Sequence, residues 1–499
     1  MTWERLEPRM VAVSLTWLVP PLGTALLTLL LTGGDPDLAA LITLASIAAT
    51  FVVIAVIFAV RVATTRYRLD GDRVEVRSGL LFRRHRTMPQ DRIRSVDVTA
   101  TVLHRLLRLR VVRINPGSQA ESDSRQLVLD GVSVARAESL RRLLDPGDTG
   151  GDTTLSMLTW RWLRYAPLSV WGVAGVGAVL GGFFRLLDSL RINPADVGFL
   201  RSIWFGLAGL PLGAAIGVPL LVILALGALT SLSTFVESWW GYRLDAVGDA
   251  LDMRRGLFST RSVWLDRTRL RGLQISEPQP LRLARGARLN AIAIGLGTHE
   301  DRSTSNKSAL LPPAPKAEAH RVAAGILGED PGFLTGLTLA GAPRAALRRR
   351  LTWAVSGIAL LEAPLVLLGA LLTDVLLHIA GISAAILLPL AVAAAVDAHR
   401  NLGSGLHGRY LVTRCGTYNR RTVLIDTSAV IGWGIDQSAF QRRAGIATFV
   451  AMVGAGRSGY RIRDVRVADG LALARAATPG MLDEFLETAP EENKPVGVR

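Results

Sequence analysis

The chain is nearly devoid of cysteine and lysine. Its single cysteine, Cys415, excludes an intramolecular disulfide and a zinc site built on cysteine pairs. The seven histidines form no HxxxH or similar pair, so no metal site is expected. Only Lys307, Lys316 and Lys494 are lysines among 57 basic residues. With the alanine excess this reads as compositional bias, which makes a lone arginine weak evidence of a site. There is also no Gly-rich phosphate loop ending in Lys-Ser/Thr, no GxSxG turn and no metal-ligand cluster, so neither catalysis nor a cofactor is expected. Charged residues make up only 20% of the 499, yet the net charge is +16, so the charge is gathered into some stretches and missing from others. What abounds is apolar: 49% of residues, with a mean hydropathy of +0.33. That excludes a disordered chain and argues against an all-soluble one.

Six apolar stretches approach the ~20 residues that a bilayer core requires. They fall in three pairs: 10–31 with 38–60, 166–184 with 203–235, and 351–372 with 375–396. Pro20-Pro21 should kink the first helix without abolishing it. Glu4 and Glu7, and the lack of a small-residue cleavage site before the second stretch, argue against a cleaved leader. Arginines flank each pair on the outside: Arg5, Arg9, Arg61, Arg66 and Arg68; Arg161, Arg164 and Arg243; Arg344, Arg348, Arg349, Arg350 and Arg400. The first and third intervening turns carry no Lys or Arg, and the middle loop, 185–201, is mixed. This bias predicts that both termini and all large polar segments are cytoplasmic. Trp17, Trp160, Trp162, Trp171, Trp204, Trp239, Trp240 and Trp353 fall near the predicted interfaces.

The polar stretches after each pair repeat one another. Tyr67-Arg68-Leu69-Asp70 leads to Val74–Gly79 and Leu80-Leu81-Phe82-Arg83-Arg84; Tyr242-Arg243-Leu244-Asp245 leads to Leu251–Gly256 and Leu257-Phe258; the third copy runs Leu411–Gly416 and on to Arg420-Arg421. In each, glycine sits between two alternating apolar and polar runs, the pattern of an antiparallel hairpin with one buried face. Segments starting at Asp91, Asp266 and Asp426 then open further strands, and basic turns follow at 103–111, 281–290 and 440–447. Helical patterns close the copies at 134–144, 314–327 and 470–486. Segment 145–152 reads as a linker and 299–315 as a polar, proline-rich loop. The expected fold is thus a multi-pass α-helical membrane protein, six spans in three pairs (10–62, 166–235, 351–397), plus three small β-rich domains (64–145, 241–328, 402–488), each capped by a C-terminal helix.

These glycine hairpins with following basic pairs, with Asp91-Arg92-Ile93, Asp266-Arg267-Thr268, Phe440-Gln441-Arg442-Arg443 and Gly445-Ile446-Ala447, resemble the bacterial membrane-flanked domain family, whose modules look like bacterial pleckstrin-homology (PH) domains. Three helical pairs, each before a module, resemble its long YdbT-like members. Copy three departs most, with Thr427 in place of the arginine. The resemblance implies a plasma-membrane protein with a role in envelope function or tolerance of envelope-active compounds, and a shorter PH-like membrane protein as partner.

PH folds often hold anionic headgroups with basic hairpin tips. The candidates are Arg83, Arg84, Arg86, Arg92 and Arg94, with Arg105 and Arg108, in copy one; Arg254, Arg255, Arg261 and Arg267 in copy two; and Arg420, Arg421, Arg442 and Arg443 in copy three. Residues 67–144 hold 16 Arg against 9 acidic residues, and each basic group near an anionic leaflet is worth about 1 kcal/mol. A solvated face that merely obeys topology competes with leaflet contact. Glu362, in the fifth stretch beside Pro364, is either a packing hydrogen bond or a coupling site. Gly172, Gly175, Gly177, Gly181 and Gly182 point to close helix packing. The expected function is non-enzymatic: scaffolding of partners, contact with anionic inner-leaflet lipid, or both, with oligomers possible and no nucleic acid. A transporter or channel component using Glu362, or a membrane-state sensor, is the alternative.

Overall fold

The structure is a computed structural model. It describes residues 3–14, 19–31, 38–70, 73–79, 84–89, 93–116, 127–144, 153–168, 170–189, 193, 198–294, 308–455 and 459–485.

Each repeat begins before its helices. In the first, the short strand β1 (Glu4–Arg5) precedes the helices α1 (Met10–Ser14), α2 (Val19–Leu31) and α3 (Leu38–Thr64), and pairs with β2 (Arg66–Asp70) beyond them. The strands β3 (Arg73–Ser78), β4 (Arg84–Pro89) and β5 (Ile93–Ala100) follow, then a short helix α4 (Val102–Leu106), β6 (Leu109–Pro116), β7 (Leu127–Ser133) and α5 (Val134–Leu144). The second repeat opens with β8 (Thr153–Met157) and the helices α6 (Val170–Ser189), α7 (Gly198–Ala208) and α8 (Leu212–Trp239). It continues with β9 (Arg243–Val247), β10 (Ala250–Arg255), β11 (Thr260–Asp266), β12 (Leu270–Pro278), α9 (Gln279–Leu283), β13 (Gly286–Ala293), β14 (Ala309–Pro315) and α10 (Lys316–Leu327). The third comprises β15 (Ala340–Gly341), α11 (Arg344–Leu371), α12 (Asp374–Arg400), β16 (Gly403–His407), β17 (Tyr410–Cys415), β18 (Asn419–Asp426), β19 (Val430–Asp436), α13 (Ala439–Arg443), β20 (Ile446–Val453), β21 (Gly459–Arg466) and α14 (Val467–Ala477).

Apolar residues all round a helix leave it no polar face to turn to water. Among the described residues, four helices are long and apolar enough to cross a membrane: Leu41–Thr64 within α3, and α8, α11 and α12. The fourth apolar stretch is not continuous. It breaks between α7 and α8 at Pro211, which lacks the N–H that a helix interior needs. Glycine is obligatory at the hairpins that the sequence marked: φ is 107° at Gly79, 110° at Gly256 and 114° at Gly416. A Cβ on Gly256 would lie 2.0 Å from the Ser259 carbonyl oxygen, and one on Gly416 2.0 Å from that of Asn419.

The strands do not close module by module. One seven-stranded sheet runs β7-β6-β5-β11-β10-β9-β8, and a second runs β14-β13-β12-β18-β17-β16-β15. The last strands of one repeat thus continue into the first strands of the next, all antiparallel. The packed interiors cross the same boundaries. Tyr410, Val412 and Leu424 of the third repeat lie in the core of the second, and Ile292 of the second lies in that of the third. At the ends remain a four-stranded sheet β1-β2-β3-β4 and a three-stranded sheet β19-β20-β21.

Several expectations change. Residues 309–315 form strand β14 rather than loop; Pro312 and Pro313 are tolerated because β14 is the outermost strand of its sheet. The last helical pattern stops at Ala477, short of residue 486. Leu244, not Tyr242, occupies the place of Tyr67, since Tyr67 faces Val76 and Leu244 faces Met253, each three residues before its hairpin glycine. Trp162 and Trp239 are buried in the core of the second repeat with Tyr242, while Trp160 stays exposed and meets Trp240 edge-on at 5.4 Å. Of the α6 glycines, a Cβ added to Gly175 would lie 4.0 Å from Thr230 Cγ2, whereas Gly177, Gly181 and Gly182 have open space beside them. Trp17, the surroundings of Gly172 and the side chains of Trp171 and Trp204 lie outside what is described.

Candidate functional site

The arginines that the sequence nominated are mostly engaged in holding the fold. Arg267 donates to the carbonyls of Gly325 (2.7 Å) and Ile326 (3.0 Å), satisfying the C-terminal end of α10. Arg255 is buried over the Trp239 ring, 4.0 Å from its centroid; burial, with Arg261 nearby, lowers its pKa to about 10. Arg254 pairs with Asp252 at 2.9 Å, half in solvent. Arg261 forks onto the buried Asp97 across the first seam, Nε to Oδ1 at 3.0 Å. Arg105 on α4 reaches over to the Leu257 carbonyl at 2.7 Å. Arg84 and Arg86 belong to β4, Arg94 to β5, and Arg421 to β18 opposite Ser276. Arg108 takes a left-handed backbone, φ 55°. Arg83 and Arg92 lie outside the described residues. Arg442 and Arg443 stand exposed on α13.

Glu362 is buried on α11 and accepts a hydrogen bond from Ser383 Oγ of α12 at 3.0 Å. His378 bonds instead to the Asp374 carbonyl, 2.8 Å, so the two do not pair.

The residues brought together form a cavity of ≈ 1090 Å³ at the second seam, lined among others by Arg164, Arg282, Arg285, Lys316, Arg414 and Arg420. One lining carboxylate, Glu277, faces these six cations. Glu277 is buried, holds Arg420 directly and has Lys316 Nζ at 3.5 Å. Arg282 is taken by Asp397 at the end of α12, Nη1 to Oδ2 at 3.2 Å, and that bond raises its pKa. Arg414 makes no ion pair with a described residue; burial and then Arg420 depress its pKa. His320 is held neutral, its pKa lowered to about 4 by burial and by Lys316. The cavity therefore carries a cationic excess beside apolar Leu168, Leu334 and Leu337. Only Arg420 of this set was singled out by hairpin reasoning. Arg282 and Arg285 sit in the basic turn that the sequence displayed, but Arg164, Lys316 and Arg414 come from three other elements and share no motif.

The cavity rim lies near the helix ends. Equivalent short helices stand there in all three repeats: α4 packs by α1, α9 is tied to α12 through Arg282, and Gln441 of α13 bonds Asp464 (3.0 Å), which also takes Arg350 (3.1 Å) at the start of α11. Each short helix exposes large apolar surface, Val102 (53%) with Leu106 (77%), Leu283 (79%) and Phe440 (66%), near Arg105, Arg282 and Arg442. A side chain so exposed next to arginine suits the boundary of a bilayer better than water.

Comparison with known families finds the bacterial PH domain over residues 19–147 and 359–478, stretches that take in most of the first and third repeats with parts of their helices. No curated protein and no solved structure matches the chain. In those two regions the chain is a bacterial PH-domain protein, with apolar helices long enough to cross a membrane running through its modules.

Proposed function

We propose that this is a non-enzymatic, multi-pass protein of the bacterial plasma membrane, with six spans in three pairs and both termini cytoplasmic. Its three PH-like modules act as one continuous platform against the inner leaflet. The platform scaffolds protein partners and holds an anionic lipid headgroup in the second-seam cavity. The observation that carries this reading is that, with Arg420 and Lys316 held by Glu277 and Arg282 by Asp397, the cavity wall still carries Arg164, Arg285 and Arg414 next to an apolar rim. The exposed Leu106, Leu283 and Phe440 support seating of that face in the leaflet. The family resemblance extends the reading to envelope function. Glu362 supports packing of α11 on α12, because Ser383 already occupies one of its oxygens.

The test uses the full chain in nanodiscs containing phosphatidylglycerol, with retained lipid read by native mass spectrometry. Arg285→Ala/Arg414→Ala should weaken retention roughly thirty-fold, two cations at about 1 kcal/mol each. Arg475→Ala, on exposed α14 and paired with Asp483, should leave it unchanged. Equal retention in all three proteins would overturn the headgroup site.

A further inference from the structure

The two seams repeat one backbone register. At the first, Val98 of β5 stands opposite Ser262 of β11; at the second, Ile275 of β12 stands opposite Thr422 of β18. Val98, Ile275 and Ile435 of β19 are equivalent: each faces the residue four beyond a left-handed position, Val112 after Arg108, Leu289 after Arg285 and Phe449 after Gly445. Ser262, Thr422 and His85 of β4 are equivalent too. They face Arg254, Arg414 and Arg77, each two residues before the hairpin glycine.

One edge of each kind remains over. Among the described residues β19 pairs only with β20, and β4 only with β3. Ile275 is 1% exposed under β18, whereas its equivalent Ile435 is 55% exposed. An uncovered edge with apolar side chains is a template for another strand. The irregularity that starts β5 and β12 recurs at the start of β19, so the open strand begins as the covered ones do.

We infer that the β19 edge of one copy of this chain receives the β4 edge of another, in the register of the two internal seams. Ile435 then faces His85, and Asp436 faces Arg84. Each internal seam carries an acid on the first strand and an arginine on the second, at different register positions: Asp97 lies diagonal to Arg261 and Glu277 directly opposite Arg420. The proposed join likewise sets an acid of the first strand, Asp436, at a register position opposite an arginine of the second, Arg84. The contact is head-to-tail, so it propagates into a ring or a row along the membrane. It does not depend on lipid in the second-seam cavity.

The experiment uses full-length chains with Cys415→Ser in native-lipid membranes. A His85→Cys chain is mixed with an Ile435→Cys chain and oxidised. Paired strands hold opposite Cα atoms about 4.5–5.5 Å apart, within disulfide reach. The expected result is a disulfide-linked dimer from the mixture and a ladder from the double variant. Adding Ile435→Arg on the copy that bears Asp436 should cut the multimer fraction of an otherwise native chain about tenfold, by setting like charge against Arg84 and Arg86. Val98→Cys/Ser262→Cys within one chain serves as the positive reference for seam geometry. If that reference closes but His85→Cys with Ile435→Cys does not, or links no better than Arg475→Cys with Ile435→Cys, the self-association is overturned. Cross-linking of Ile435→Cys to a different protein, with none to a second copy, overturns it as well.

Discussion

The seam between the first and second modules and the seam between the second and third have one backbone register but two chemistries. At the first, Asp97 and Arg261 close on each other, and the nearby cavity, which Arg254, Arg255, Arg261 and Arg110 help to line, is ≈ 340 Å³. At the second, Glu277 is divided between Arg420 and Lys316, and the cavity is ≈ 1090 Å³ with Arg414 and Arg285 on its wall. The comparison teaches that the main-chain ladder makes the join, while side chains are left to vary. The first seam closes on its own ion pair; the second leaves Arg285 and Arg414 on its wall with no carboxylate partner among the described residues.

Removing the carboxylates should give the largest effect. Breaking a buried pair strands its partner, at about 3–5 kcal/mol. Glu277→Gln is expected at the upper end, because two cations lose their counter-charge, and Asp97→Asn at the lower end. Thermal unfolding of the full chain in detergent measures both, and equal losses would erase the distinction between the seams. The hairpin glycines should sharpen the comparison from the other side. Gly256→Ala and Gly416→Ala meet nearly the same obstruction at φ 110° and 114°, so each should cost about 1–3 kcal/mol, and the two should match. A large difference in melting would mean that the seams are not backbone equivalents.

The smallest expected effect is a pH dependence. His320 at the second seam has its folded pKa at about 4, below the ordinary histidine value of 6.5, so the unfolded chain binds the proton more readily. Stability should therefore fall as pH drops from about 6.5 towards 4 and level off below that. Lys316, Arg414 and Arg420 oppose the imidazolium and Glu277 favours it. Buried His104 on α4 contributes in the same sense, its pKa lowered by burial. His320→Gln should flatten part of the acid slope, and His104→Gln a further part; a slope unmoved by His320→Gln would show that the second seam does not sense pH.

Much of the fold was legible because it is written locally. Gly79, Gly256 and Gly416 punctuate alternating runs, and only glycine fits their backbone. The apolar stretches announce themselves by length, and the short basic turns by repetition. What the sequence hid is non-local. β1, β8 and β15 are brief, and each is a neighbour in space to a strand that lies beyond a whole helical pair. Strand sharing between repeats leaves no local trace, since β5 and β12 read as ordinary half-buried strands whichever neighbour covers them. Pro312-Pro313 conceals β14, because proline argues against a strand until its edge position is known. The site suffered for the same reason. Counting arginines at hairpin tips found Arg255 and Arg267, whose charge is used internally, and passed over Arg164 and Arg414, which meet only after the second and third repeats have joined.

The shared sheets also set a clock on biosynthesis. Ala100 pairs with Thr260, and Ser276 with Arg421, with a helical pair to be threaded between the partners each time. At ~5–20 residues per second, the ribosome leaves the β5 edge waiting on the order of 10–30 s for the strand that covers it. Neither of the first two modules can be completed before the next pair of helices has been made, so sheet closure waits each time on helices that come later in the chain. A stall in the second helical pair would leave the β5 edge without its partner strand, and the quality of the finished protein rests on how that interval is guarded.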